Sequence, residues 1–157
     1  MTDASPPRAR ITAAAATLLG TLQDRHGPLM FHQSGGCCDG SSPMCYPDGE
    51  FIVGDRDVLL GVLQGAPVWI SGSQFETWKH TQLIIDVVPG RGGGFSLEAP
   101  EGVRFLSRGR AFSSAEVELL LADPPLTGAA YQAGARPRDR DDVLVADAAD
   151  ACQIPVL

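Results

Sequence analysis

The stretch TQLIIDVVPGRGGGFSLEAP, residues 81–100, decides the fold class. Its first half is rich in β-branched and apolar residues, which favours a well-buried strand. The glycines at 92–94 predict a turn or a β-bulge with positive φ. They do not match a phosphate loop, because no Lys-Ser/Thr pair follows them and the next residues read as strand rather than helix. The segment FSLEAPEGVRFLSR, residues 95–108, predicts two more short strands around Pro100, Glu101 and Gly102.

Three helices are expected around these strands. The segment ITAAAATLLGTLQDRHG, residues 11–27, predicts an N-terminal helix with Ile11, Ala15, Leu18 and Leu22 on one face, ended by Gly27. Capping boxes predict a short central helix near 73–80 (Ser73 with Glu76) and a C-terminal helix from 113 (Ser113 with Glu116). Further strands are predicted at residues 28–34, 58–63 and 67–71. The fold class is therefore α+β, mostly β.

The chain length of 157 residues suits one domain. Residues 1–9 are predicted to be a disordered leader, residues 10–122 the domain, and residues 123–157 a flexible or loosely docked tail. Within that tail, residues 143–145 are a candidate edge strand. Exposed strand edges in a small β-rich domain make a homodimer plausible.

Composition and charge exclude several classes of partner. The formal net charge is −7, which argues against binding to nucleic acid or to an anionic membrane surface. No run of about 18 apolar residues is present, and the first ten residues lack the apolar region of a signal peptide. We therefore expect a cytoplasmic protein in a reducing compartment, where clustered cysteines more often bind metals or perform redox chemistry than form structural disulfides.

The segment HQSGGCCDGSSPMCY, residues 32–46, carries three of the four cysteines. Thiolates are soft donors that bind zinc, copper(I) and iron–sulfur clusters. Adjacent Cys37 and Cys38 point to opposite sides of an extended backbone, and the spacing to Cys45 matches no zinc-finger pair. We expect a metal site with Cys37 and Cys45 as thiolate ligands and with Cys38, His32 and His80 as lesser candidates.

Other interpretations of this segment stay open. It could form a redox disulfide, supply a catalytic nucleophile, or build only a tight turn. His80 also suits the C-terminal end of a helix, where a positive charge is favoured by the helix dipole. If a metal is bound, Gln33 and Asp39 are candidates for orienting its ligands by hydrogen bonds.

Three segments resemble a family of short bacterial proteins of unknown function that are often encoded beside aldehyde dehydrogenases. They are HGPLMFHQSGGCCDGSSPMCYPDGEF at 26–51, SQFETWKHTQLIIDVVPGRGGGFSLE at 73–98 and EGVRFLSR at 101–108. The resemblance runs from Ile11 to about Arg110 and implies a connection with aldehyde or alcohol oxidation.

A more distant resemblance is to the HesB-like fold of A-type iron–sulfur carriers. The shared features are a first helix, a strand, the Gly35-Gly36-Cys37 loop, and the later order of short helix, buried strand and Gly-rich turn. This resemblance implies a compact mixed β-sheet fold and a metal-facing role for Cys37. The carriers also have a Cys-Gly-Cys pair after the last strand, whereas here only Cys152 follows. That departure favours a mononuclear or differently ligated site over a transferable cluster.

The sequence thus supports a small metal-binding accessory protein, holding iron, an iron–sulfur cluster or zinc, with a role in aldehyde or alcohol oxidation. An enzyme is the less favoured class. One alternative is a thiol-dependent enzyme in which Cys37 adds to an aldehyde and His32 or His80 moves the proton. Another alternative is a non-catalytic partner of an aldehyde dehydrogenase.

Overall fold

Two four-stranded sheets share one hydrophobic core. The computed structural model describes residues 5–33, 43–49, 53–90, 96–137 and 144–145. In these ranges the elements are β1 (Ala9–Thr12), α1 (Ala13–His26), β2 (Leu29–Gln33), β3 (Met44–Pro47), β4 (Val58–Leu63), β5 (Ala66–Ile70), α2 (Gly72–Trp78), β6 (Thr81–Pro89), a 3₁₀ turn (Ala99–Glu101), β7 (Val103–Ala111), α3 (Ser114–Leu121), α4 (Gly128–Gln132) and β8 (Leu144–Val145). The predicted class, α+β and mostly β, is confirmed.

The strand order is β7-β6-β1-β8 in one sheet and β3-β2-β5-β4 in the other. The pairs β1–β6, β1–β8 and β2–β5 are parallel, and the other neighbours are antiparallel. The β6–β7 ladder is the longest and runs from the Thr81–Ala111 pair to the Pro89–Val103 pair. Because β2 and β5 are parallel, both end at the same edge of their sheet, which positions the candidate site.

The core lies between the sheets and is closed by α1. Helix α1 buries Ala15, Leu19 and Leu22 at helical spacing, and Thr12 caps its N-terminus by accepting the N–H of Ala15 at 3.2 Å. The two sheets meet at Phe31 and Phe105, whose rings pack edge to face with centroids 5.0 Å apart.

A buried carboxylate joins three strands on the β7-β6-β1-β8 sheet. Asp86 of β6 accepts hydrogen bonds from the Thr12 hydroxyl at 2.9 Å, from Arg108 Nε at 2.7 Å and from the N–H of Val87 at 2.8 Å. Burial alone would raise the pKa of Asp86, but these three bonds together lower it below its ordinary value.

Several local predictions were wrong. Residues 9–12 form β1, so α1 begins at Ala13 rather than at residue 11. Residues 96–101 form a turn and the 3₁₀ segment instead of a strand, because the Glu98 side chain bonds locally and Pro100 has no N–H to give to a ladder. Helix α2 is capped by Ser71, whereas the capping box of α3 at Ser113 is confirmed.

Part of the predicted leader contacts the domain. The Ser5 hydroxyl bonds the Asp123 carboxylate at 2.6 Å, and Arg8 bonds the carbonyl oxygens of Leu120 and Asp123. In the predicted tail, β8 is an edge strand, as expected, and α4 was not foreseen. The domain boundaries as a whole and the HesB-like likeness stay predictions. Among the residues described, no helix combines the length and apolar character needed to cross a membrane.

Candidate functional site

The side chains of β2 alternate between the two faces of its sheet. In the sequence, β2 is followed by the segment that contains Cys37. Phe31 belongs to the main core, whereas Met30 belongs to a second apolar cluster on the other face. His32 lies two residues beyond Met30, so the alternation puts it on the Met30 face. The antiparallel register pairs Phe31 with Cys45 and His32 with Met44, so Cys45 faces the main core.

His32 is buried beside a carboxylate. Its Nε2 lies 3.2 Å from Oδ2 of Asp57, and the two side chains are 4% and 15% exposed. The same Asp57 oxygen accepts the N–H of Gly54 at 2.9 Å. A carboxylate held in this way fixes the orientation of the imidazole ring.

The turn that carries Asp57 is fixed by the start of α4. The N–H of Gly128 donates to the Asp57 carbonyl at 2.7 Å, and the N–H of Ala129 donates to the Asp55 carbonyl at 3.1 Å. A Cβ on Gly128 would lie 1.9 Å from the Gly54 carbonyl oxygen, so only glycine permits this approach. No local sequence pattern marks Asp57 as a partner of His32 or connects it with α4.

Apolar and aromatic side chains surround the face of the sheet that His32 shares. Trp69 packs edge to face with Tyr131, with centroids 5.3 Å apart. Electrostatic contacts strengthen where water is excluded, so this setting favours the His32–Asp57 contact. The cluster consists of Met30, Leu59 and Trp69, against which Tyr46, Val53, Leu126 and Tyr131 pack.

Cys45 lies in the main core and is fully buried. Burial, with a smaller effect from the charge of Glu98, raises the pKa of the Cys45 thiol to about 12. The thiol is therefore protonated at neutral pH, and thiolate chemistry is disfavoured at this position.

Buried polar contacts anchor the ends of the chain segments near Cys45. The N–H of Cys45 donates to the Ser96 hydroxyl at 2.9 Å, and Ser96 in turn bonds the buried carboxylate of Glu98. Glu98 also accepts the N–H of Phe105 at 3.0 Å. These bonds fix β3 to the segment that enters β7.

Gln33, a candidate for orienting a metal ligand, bonds β7 through its side chain. Its side-chain oxygen accepts the Ser107 hydroxyl at 2.5 Å, and both residues are fully buried. This bond holds the last residue of β2 against β7. The C-terminal end of β2 is therefore held against β7.

The predicted ligands are only partly within the described residues. Cys37, Cys38, Asp39 and Cys152 lie outside them. His80 is exposed at the turn after α2, with its carbonyl accepting the N–H of Phe112 at 2.9 Å. His32 and Cys45 point to opposite faces of one sheet. Within the ranges that the structure describes, no three His, Cys, Asp or Glu side chains group closely enough to hold a metal ion.

Comparison with known proteins places the chain in a family. A family model described as a domain of unknown function, DUF779, matches residues 18–111. The chain belongs to the DUF779 family. The matched part of this DUF779 chain contains His32, Asp57 and Cys45. No curated protein and no solved structure matches it. The expected membership of a family of unknown function is thus confirmed, while the association with aldehyde dehydrogenases stays a prediction.

Proposed function

We propose that this DUF779 chain is a small cytoplasmic metal-binding protein with its site at the end of β2. His32 supplies an imidazole nitrogen, and Cys37, with Cys38 as a further candidate, supplies thiolate. The observation that supports the proposal is the buried contact between His32 and Asp57. A carboxylate bound to one imidazole nitrogen is the usual arrangement that orients a metal-binding histidine.

The donor chemistry fits iron or zinc. Imidazole and thiolate together suit both metals, and thiolates also hold iron–sulfur clusters. Cys45 fits poorly, because it is buried in the main core and faces the opposite side of the sheet from His32. His80 is exposed at the turn after α2, and we do not include it among the proposed ligands. We therefore narrow the predicted ligand set to His32, Cys37 and Cys38.

The role in aldehyde or alcohol oxidation is part of the proposal. It rests on the resemblance of the three segments at 26–51, 73–98 and 101–108. An aldehyde dehydrogenase is the proposed partner, and a homodimer stays a further prediction. Co-purification of the chain with such a dehydrogenase supports this role, and no association at micromolar concentration contradicts it.

Metal analysis tests the site. The chain is purified without chelator, and bound metal per chain is measured by mass spectrometry. We expect near-stoichiometric metal in the unmodified chain and its loss in Cys37→Ser and His32→Gln. Asp57→Asn is expected to weaken metal affinity by about 10- to 100-fold, because it removes only the orienting carboxylate. His80→Gln is the matched control. Little metal in the unmodified chain, with no change in Cys37→Ser, overturns the proposal.

The same contact also supports a thiol-dependent enzyme as a second candidate. In that reaction the Cys37 thiolate forms a C–S bond with an aldehyde carbonyl, the carbonyl π electrons move to oxygen, and protonated His32 gives that oxygen a proton. The product is a thiohemiacetal, and Asp57 orients the imidazole ring for the transfer. Aldehyde consumption that survives complete chelation and disappears in Cys37→Ala favours this candidate over metal binding.

A further inference from the structure

A cavity of about 550 Å³ lies beside the outer edge of β4. Neither His32 nor Asp57 lines it, so it is separate from the site proposed above. Its volume is in the range typical of small-molecule sites. The apolar part of its wall is formed by Pro6, Pro7, Leu60, Val62, Pro125 and Leu126.

The walls of this β4 cavity are held in place by hydrogen bonds to backbone carbonyl oxygens. The N–H of Leu59 donates to the Leu126 carbonyl at 2.8 Å. On the opposite side, Gln82 donates to the Pro7 carbonyl at 2.8 Å, and the N–H of Leu83 donates to the Arg8 carbonyl at 2.9 Å. Prolines fix φ and lose little freedom when a ligand binds. The cavity is thus largely preformed.

Two guanidinium groups make the β4 cavity locally positive. Arg136 stacks on the Tyr131 ring at 3.9 Å from the centroid and bonds the carbonyl oxygens of Tyr131 and Ala135. Among the described residues no carboxylate pairs with Arg136. Arg8 also lines the cavity. Asp123 lines it too, and its carboxylate offsets one of the two positive charges. In a chain of net charge −7, this local excess of positive charge favours an anionic ligand.

The edge of β4 adds one more donor. A two-residue turn joins β4 to β5, so Leu63 and Ala66 form the hydrogen-bonded pair next to it. Val62 then pairs with Pro67 without hydrogen bonds, and its N–H and carbonyl point away from β5, toward the side of β4 that the cavity occupies.

We propose that the β4 cavity binds an apolar monocarboxylate. The hydrocarbon chain packs against the proline and leucine side chains, and the carboxylate takes its place beside Arg136 and the Val62 N–H. A guanidinium binds a carboxylate through charge-assisted hydrogen bonds, which are stronger than neutral ones. The apolar part of the cavity wall excludes water from the hydrocarbon chain of the ligand.

Calorimetric titration with octanoate tests the proposal, with octanol as the neutral ligand of matched length. We expect one saturable site for octanoate and at least about tenfold weaker binding of octanol, because octanol lacks the charge that the guanidinium recognises. Arg136→Gln is expected to weaken octanoate binding about tenfold and to leave octanol binding unchanged. Arg25→Gln, on an exposed arginine paired with Glu101, is the matched control.

A second variant separates loss of binding from loss of folding. Val62→Trp fills the cavity and is expected to weaken octanoate and octanol alike, while a melting curve verifies that the chain is folded. Equal binding of octanoate and octanol, or an unchanged affinity in Arg136→Gln, overturns the proposal. Displacement of octanoate by a peptide of residues 146–157 would assign the cavity to the chain's own segment and overturn it as well. None of these results depends on bound metal.

Discussion

Removing the buried carboxylate of Glu98 should be one of the most destabilising single changes in this chain. Glu98 is fully buried and accepts bonds from the Phe105 N–H and the Ser96 hydroxyl. Glu98→Ala leaves two buried donors without an acceptor, and each such group costs about 1–3 kcal/mol. We therefore expect a loss of about 2–6 kcal/mol in the free energy of unfolding, which is a large part of the 5–15 kcal/mol typical of a domain.

The isosteric change separates hydrogen bonding from charge. Glu98→Gln keeps one acceptor oxygen, so we expect the smaller loss of about 1–3 kcal/mol. It also removes the negative charge that contributes to the raised pKa of Cys45. That pKa should fall only in part, because burial is the larger cause.

Urea unfolding followed by tryptophan fluorescence measures both variants. The matched control is Glu118→Ala, which removes an exposed glutamate from α3 and should change stability by no more than about 0.5 kcal/mol. If Glu98→Ala and Glu118→Ala unfold at the same urea concentration, the buried carboxylate does not hold this region together, and the reasoning is refuted.

Three further predictions concern other parts of the chain. Because its pKa rises from 9.0 to about 12, Cys45 should react with iodoacetamide about a thousandfold more slowly in the folded chain than in urea; equal rates by mass spectrometry contradict this. The lowered pKa of Asp86 contributes stability that is present above about pH 4 and is lost as pH falls below it, so Asp86→Asn should flatten the melting temperature against pH in that range. Gly128→Ala should lower the melting temperature through its clash with the Gly54 carbonyl, whereas Gly20→Ala in open space on α1 should not.

Local signals were sufficient for the elements whose stability is local. The capping box at Ser113 and Glu116 marks the start of α3, and the β-branched run in 81–89 marks β6. Strand β1 gave no such signal. It directly precedes α1, and its apolar residues fit the helical pattern of α1. Its partner in β6 is distant along the chain, with Arg10 opposite Ile84. A parallel pairing of this kind cannot be recognised from a window of neighbouring residues.

The contact between His32 and Asp57 was missed for a similar reason. The two residues are 25 positions apart, and Asp57 is held by a turn that packs on α4. A Gly-Asp-Arg-Asp sequence predicts only a turn. The turn can pack on α4 only because Gly128 has no side chain. The residues around Gly128 in the sequence do not indicate that it contacts Gly54.

The sequence alone does not determine that His32 and Cys45 lie on opposite faces of the sheet. Alternation along β2 puts His32 on the face opposite Phe31. It did not say which face Cys45 shares, because that depends on the register of β3. Once Phe31 is opposite Cys45, the side-chain period of two puts the thiol and the imidazole on opposite faces of the sheet. A one-residue slip would have put them on the same face. The register of the β2–β3 pair therefore separates Cys45 from His32, and under the proposed function it leaves Cys37 and Cys38 as the candidate thiolate ligands.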